Sequence, residues 1–145
     1  LADEVIVLSS NIYKKGEYIY KINEKRSRKR AQFDLDIHYP RINDKSMYIK
    51  YETDEPLMKG INISSTGILL LSKVPVKTGD FISFSMRIGD YPSFWCLCEA
   101  KWVNSNVNNC LVGCEFFSLT MQQINTIKEY VENSAEIPYK DYLGY

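Results

Sequence analysis

The sequence predicts an all-β fold with one C-terminal helix, a small antiparallel barrel that the helix plugs or flanks. Three observations carry that prediction. Apolar and polar residues alternate in several runs of strand length. Glycine, proline, asparagine and aspartate separate those runs. Apolar residues at helical spacing close the regular part of the chain.

Residues 1–24 hold an apolar patch, Val5-Ile6-Val7-Leu8, a polar turn with Gly16, and Tyr18-Ile19-Tyr20. They read as an arm, or as the tail of an upstream segment. Residues 21–30 are too charged to bury and predict a flexible link in the free protein. A strand follows over residues 31–39, where Phe33, Leu35, Ile37 and Tyr39 alternate with polar neighbours and Pro40 ends the run. Residues 47–51 make a second candidate strand. Ile61 and Ile63 lead into a turn at residues 62–67, and Gly67 opens the apolar run that ends at Leu71. Pro75 and Gly79 punctuate.

Ile82, Phe84, Met86 and Ile88 then take one face, with Ser83, Ser85 and Arg87 opposite. Phe94, Cys96, Cys98, Ala100 and Trp102 share a face of the next run. After a hairpin turn at residues 105–109, Cys110, Val112, Cys114 and Phe116 return along one face. Thr120 is the expected N-cap of the helix and Gln123 completes a capping box. Met121, Ile124, Ile127 and Val131 form its stripe. The division is thus an arm over 1–24, the barrel plus helix over 25–134, and a tail over 135–145.

A chain of 145 residues fits one domain. At that size folding buries roughly 68–70% of the unfolded surface, so no staple is needed. The net charge is zero, which argues against a surface that wraps nucleic acid. The basic charge is local, since residues 21–30 hold six Lys and Arg and a single acid, Glu24. Arbitrary nucleic acid bound through residues 25–30 is a weaker reading for that reason. Aliphatic runs no longer than Ile68-Leu69-Leu70-Leu71 predict no membrane span in this chain. No signal-peptide pattern opens it, and what precedes Leu1 stays open.

The candidate chemistry of single residues is sparse. Cysteines at 96, 98, 110 and 114 give C-x-C and C-x-x-x-C on strands, whereas zinc knuckles use loops that let thiolates converge. With the hairpin turn centred on Asn106, Cys98 and Cys114 lie opposite each other and act as small core hydrophobes, with no metal expected. His38 is the single histidine and has no second base–nucleophile partner. Asp34 and Asp36 share a face without a cleft. No glycine-rich phosphate loop with its lysine occurs. An enzyme is therefore not expected. Trp95 and Trp102 fall on opposite strand faces, which predicts one in the core and the other at the surface or near a ligand. Tyr139, Tyr142 and Tyr145 can pack the tail onto the barrel.

Two motifs remain. Arg26 and Arg30 form R-x-x-x-R within Lys25-Arg26-Ser27-Arg28-Lys29-Arg30, and Asn62-Ile63-Ser64-Ser65-Thr66-Gly67 reads N-x-S-x-x-G. Taken singly, the first reads as a solvated basic run and the second as a plain turn. In this order, ahead of strand-like sequence, they resemble the signature of the PilZ domain, the bacterial receptor module for cyclic di-GMP. Residues 30–39, 101–103 and 112–116 also resemble PilZ strands, so the resemblance runs from about Lys25 to Glu132. It implies a six-stranded antiparallel barrel with a helix after it, in a cytoplasmic protein without enzymatic activity.

The resemblance also implies roles. Arg26 and Arg30 would take guanine and phosphate, because a guanidinium presents a planar fork of donors that lysine lacks. Asn62 and Ser64, two apart on a strand and so on one face, would take the second guanine. Gly67 would supply a positive φ or a close backbone approach. The ligand would order the arginine arm over the barrel and pass the signal to a partner protein or fused domain, in motility or exopolysaccharide regulation. The alternative is a non-enzymatic protein–protein adaptor of the same fold with weak or no nucleotide binding.

Overall fold

The computed structural model describes residues 29–51 and 53–137. Strands β1 (Arg30–Ile37), β2 (Arg41–Ile42) and β3 (Lys45–Ser46) precede a single helical turn, α1 (Tyr48–Tyr51). Strands β4 (Met58–Ser64), β5 (Gly67–Ser72), β6 (Phe81–Met86), β7 (Phe94–Ser105) and β8 (Cys110–Ser118) follow, and helix α2 (Met121–Glu132) comes last. All pairings are antiparallel, in the order β1-β4-β5-β8-β7-β6-β2-β3. The sheet curls into a half-barrel. Its six long strands answer the expected six, and β2 and β3 add a two-residue hairpin.

The alternating residues fill the inside. Ile82, Phe84, Met86, Cys96, Cys98, Ala100, Val112, Ile63, Ile68 and Leu70 join one buried core. Helix α2 contributes Ile127 and Val131 to that core. The Thr120 side chain accepts from the Gln123 amide and the Gln123 side chain accepts from the Thr120 amide, so the predicted capping box is present. Tyr130 packs edge-on against Phe33, at 5.6 Å between ring centroids. Its hydroxyl donates to the Gln32 carbonyl at 2.7 Å, and the Ile137 amide donates to the Arg30 carbonyl at 3.1 Å. The helix and the segment after it thereby supply partners to backbone carbonyls of β1, an edge strand.

Several local expectations are corrected. Residues 47–51 form no strand: the Tyr51 amide donates to the Met47 carbonyl at 3.2 Å, closing a helical turn. Met47 and Tyr51 both pack on the core, and four-residue spacing suits one face of a turn as well as it suits alternation. The β2–β3 hairpin is an addition. Its two-residue turn, Asn43-Asp44, has φ of 52° and 68°, the positive pair that a tight hairpin of this kind requires and that Asn and Asp tolerate.

The β7–β8 turn is centred beyond Asn106, because Ser105 pairs with Cys110. Cys98 therefore pairs with Phe116, and Cys114 with Ala100. All four cysteines are buried and free. The neighbouring Cys98 sulfur and burial push the Cys96 thiol well up, and the Cys114 sulfur does the same for Cys98. Cys96 and Cys98 stay protonated, and all four cysteines pack as small hydrophobes. Among the described residues no group of three or more His, Cys, Asp and Glu is placed to hold a metal.

Candidate functional site

Strand β4 places the second motif. Its pairing with β5 shifts register between Gly60 and Asn62, a bulge just before the motif. Ile63 points into the core, so Asn62 and Ser64 lie on the opposite, outer side of the wall. Both are buried there, at 1% exposure each. On the neighbouring strand Arg30 stands opposite Ser64, and Gln32 opposite Asn62.

The two motifs meet in a single contact. Arg30 Nη1 donates to Asn62 Oδ1 at 2.7 Å, across 32 residues of sequence. A charged donor on a buried amide oxygen makes a short, strong hydrogen bond. The structure therefore brings together Arg30, Asn62 and Ser64. Arg26 and the arm at residues 1–24 lie outside the described residues, as do Tyr139, Tyr142 and Tyr145.

Ser64 is occupied with its own turn. Its Oγ accepts from the Thr66 amide at 3.2 Å and the Gly67 amide at 3.1 Å. These two bonds use the lone pairs of the hydroxyl. What remains is the O–H, which finds the Thr66 hydroxyl at 3.4 Å and the Gly67 carbonyl at 3.5 Å. The turn is also tied to β8, since the Phe116 amide donates to the Thr66 carbonyl at 2.9 Å.

Gly67 supplies close approach, not a positive φ; among the described glycines a positive φ occurs at Gly79 and Gly89. A Cβ at 67 would stand 2.2 Å from the Cys114 carbonyl oxygen.

Beside Asn62 an open groove of about 640 Å³ runs between the β1–β4 wall and residues 134–137. Gln32 and Ile61 line it with Asn62. The volume lies within the usual range for small-molecule sites. Lys29 is directed elsewhere, its Nζ donating to the Glu132 carbonyl at 3.2 Å.

Farther along the outer wall lies the residue that the alternation misplaces. Register shifts between Ala100 and Trp102, so Lys101 is an extra residue and the inside–outside order of β7 inverts after it. Trp102 pairs with Gly113 and is 37% exposed, while Val103 turns toward the core. Trp95 is 53% exposed, so neither tryptophan is in the core. No signal in the sequence marks the bulge. Next to it, Lys101 Nζ reaches Glu99 at 3.3 Å and Glu115 at 3.4 Å. The Glu99 carboxylate, then that of Glu115, holds the Lys101 ammonium above its ordinary pKa.

Residues 24–133 match the PilZ domain family. The chain belongs to that family. PilZ domains are cyclic di-GMP receptors, and as a family they are effectors without enzymatic activity. No curated protein matches the chain in sequence. Among solved structures it is similar to the Bacillus subtilis inhibitor of motility (MotI/DgrA), with a TM-score of 0.56 and 11% identity. That likeness covers 74% of this chain and 49% of the other, so it spans about half of the Bacillus protein and shows the shared fold. Among the described residues of this PilZ chain, no helix is long and apolar enough to cross a membrane.

Proposed function

We propose that this PilZ chain binds cyclic di-GMP on the outer wall of β1, β4 and β5, and does no chemistry on it. The observation that carries the reading is the Arg30–Asn62 contact at 2.7 Å, because it joins the two motifs at one place beside an open groove. Arg30 and Arg26 supply forks for guanine edges and phosphates. Asn62 offers a donor and an acceptor to a base edge once Arg30 swings to the ligand. Ser64 gives its O–H, and Gly67 lets the turn sit close against β8.

The ligand competes with the Arg30–Asn62 bond, so occupancy repositions the Arg30 side chain at the start of β1 and the arginine-bearing segment that leads into it. It can shift that arm only by its difference in affinity between the two arrangements. The output is a partner protein or an adjoining domain, in motility or polysaccharide regulation, and the site of action is the cytoplasm.

Calorimetry tests the reading. Cyclic di-GMP should bind saturably and GMP should not. Arg26→Ala and Arg30→Ala should each weaken binding by ten-fold or more, about 1.4 kcal/mol. Lys29→Ala, whose ammonium is turned to the Glu132 carbonyl, should cost much less. Equal losses at all three positions would point to nonspecific charge. The adaptor reading draws on the burial of Asn62 beneath its own arginine. A null titration from a chain that melts cooperatively would promote it.

A further inference from the structure

We infer that the end of β8 and the start of α2 form a docking groove for an amphipathic helix of a partner protein, apolar where it meets the groove and basic beside it. The inference concerns a second face of the chain and does not depend on nucleotide binding. A groove of about 390 Å³ opens there, between the β4–β5 turn, the end of β8 and α2. Ser65 and Thr66 of the turn line it together with Phe117, Leu119 and Ile124. Met121 stands three residues before Ile124 on the same helix. Phe117 is 60% exposed and Met121 71%. Single exposed apolar residues are ordinary, but a contiguous apolar patch marks a contact site.

Two local irregularities build the patch. Cys98 pairs with Phe116 and Leu97 with Ser118, so Phe117 is an extra residue of β8 and stays out of the core. Its ring meets Phe81 edge-on, at 5.1 Å between centroids. The apolar stripe of α2 also outruns the core. Ile127 and Val131 are buried, whereas Met121 is exposed and Ile124 only half-buried, although all four follow helical spacing. β8 pairs with β5 through Glu115, and the Phe116 amide donates to the Thr66 carbonyl at 2.9 Å. The groove thus offers side chains and no open sheet edge, which suits a helix laid into it better than an added strand. Met121, unbranched and polarizable, can adapt to the helix that covers it. Charge sets the sign of the partner. Among the described residues Glu115 is the one charge that lines the groove, and it shares the Lys101 ammonium with Glu99. Two carboxylates therefore face one cation, and a lysine or arginine beside the partner's apolar stripe answers the excess.

The test uses the full chain and a fluorescein-labelled amphipathic helical peptide of leucine and lysine. A leucine–glutamate peptide of the same pattern is its counterpart. The lysine peptide should bind saturably, and the glutamate peptide much more weakly. Phe117→Ser and Met121→Ser should each weaken the lysine peptide by about ten-fold, as loss of an apolar anchor does. Their melts should stay close to wild type, because both side chains are exposed. Glu115→Gln should weaken it by about three-fold and flatten its salt dependence. Val107→Ser removes a 98% exposed apolar residue from the β7–β8 hairpin and should change nothing. Failure of the wild-type chain to bind the lysine peptide overturns the inference. Equal binding of both peptides, wild-type binding by Phe117→Ser, or an equal loss at Val107→Ser does the same. So does a chain that sediments as a dimer and turns monomeric with Phe117→Ser, since a second copy is then the occupant. A wild-type chain that binds the lysine peptide but not cyclic di-GMP keeps this inference and loses the nucleotide reading.

Discussion

The β4–β5 turn and the β7–β8 wall each depend on one glycine, and the space above each glycine has gone to a different kind of neighbour. At Gly67 the neighbour is backbone, the Cys114 carbonyl oxygen at 2.2 Å from an added Cβ. At Gly113 it is a side chain, the indole of Trp102 at 2.1 Å. Backbone inside a paired sheet has no other place to go, whereas a half-exposed side chain can rotate. The turn is therefore fixed and the far wall adjustable.

Gly67→Ala should break the comparison most forcefully. The added methyl would have to push β8 away at its pairing with Glu115, and overpacking of this kind costs about 3 kcal/mol. The gain from a stiffer unfolded chain, about 0.4–1 kcal/mol, does not offset it. In a thermal melt the variant should lose roughly 6–12 °C at this chain length. A wild-type melt from Gly67→Ala would mean that the turn is not locked to β8.

Ser64→Ala tests the same turn from the inside and should have a smaller effect. It leaves the Thr66 and Gly67 amides without the hydroxyl that accepts from both. Ser64 is buried, so water replaces the hydroxyl poorly. Stability should fall by about 1–2 kcal/mol in urea. Affinity for cyclic di-GMP should fall as well, because the turn and the O–H are lost together. Affinity that falls with no change in stability would assign the hydroxyl to the ligand alone.

These two regions also show what the sequence discloses. The inner face was legible wherever a strand keeps strict period two. Ile82, Phe84 and Met86 on β6, and Cys110, Val112 and Cys114 on β8, are core as the alternation predicts. The capping box located α2 within a residue. The motif at Asn62, Ser64 and Gly67 was legible because its spacing survives whatever the strand does before it. Bulges were not legible. An extra residue at Lys101 leaves no mark in composition, yet it moves Trp102 from one side of the wall to the other. The turn at Tyr48–Tyr51 was misread because Met47, Ile49 and Tyr51 fit a strand by alternation, while Met47 and Tyr51 fit a helical face by spacing. The Arg30–Asn62 bond spans 32 residues and depends on which strands pair, which local pattern does not encode.

Gly113→Ala should have the smallest effect on stability and separates the two regions most sharply. Its methyl meets the pyrrole end of an indole that is 37% exposed, so the ring can swing toward solvent without moving a strand. Some packing of the indole over Gly113 is lost, and part of that loss is returned by the stiffer unfolded chain. The net cost should stay under about 1 kcal/mol, well below that of Gly67→Ala. The displaced ring should show in altered emission from Trp102 in a Trp95→Phe background. If Gly113→Ala instead destabilises the chain as much as Gly67→Ala, the indole is held as firmly as the backbone at the turn. The far wall is then rigid structure, and the contrast between the two glycines fails.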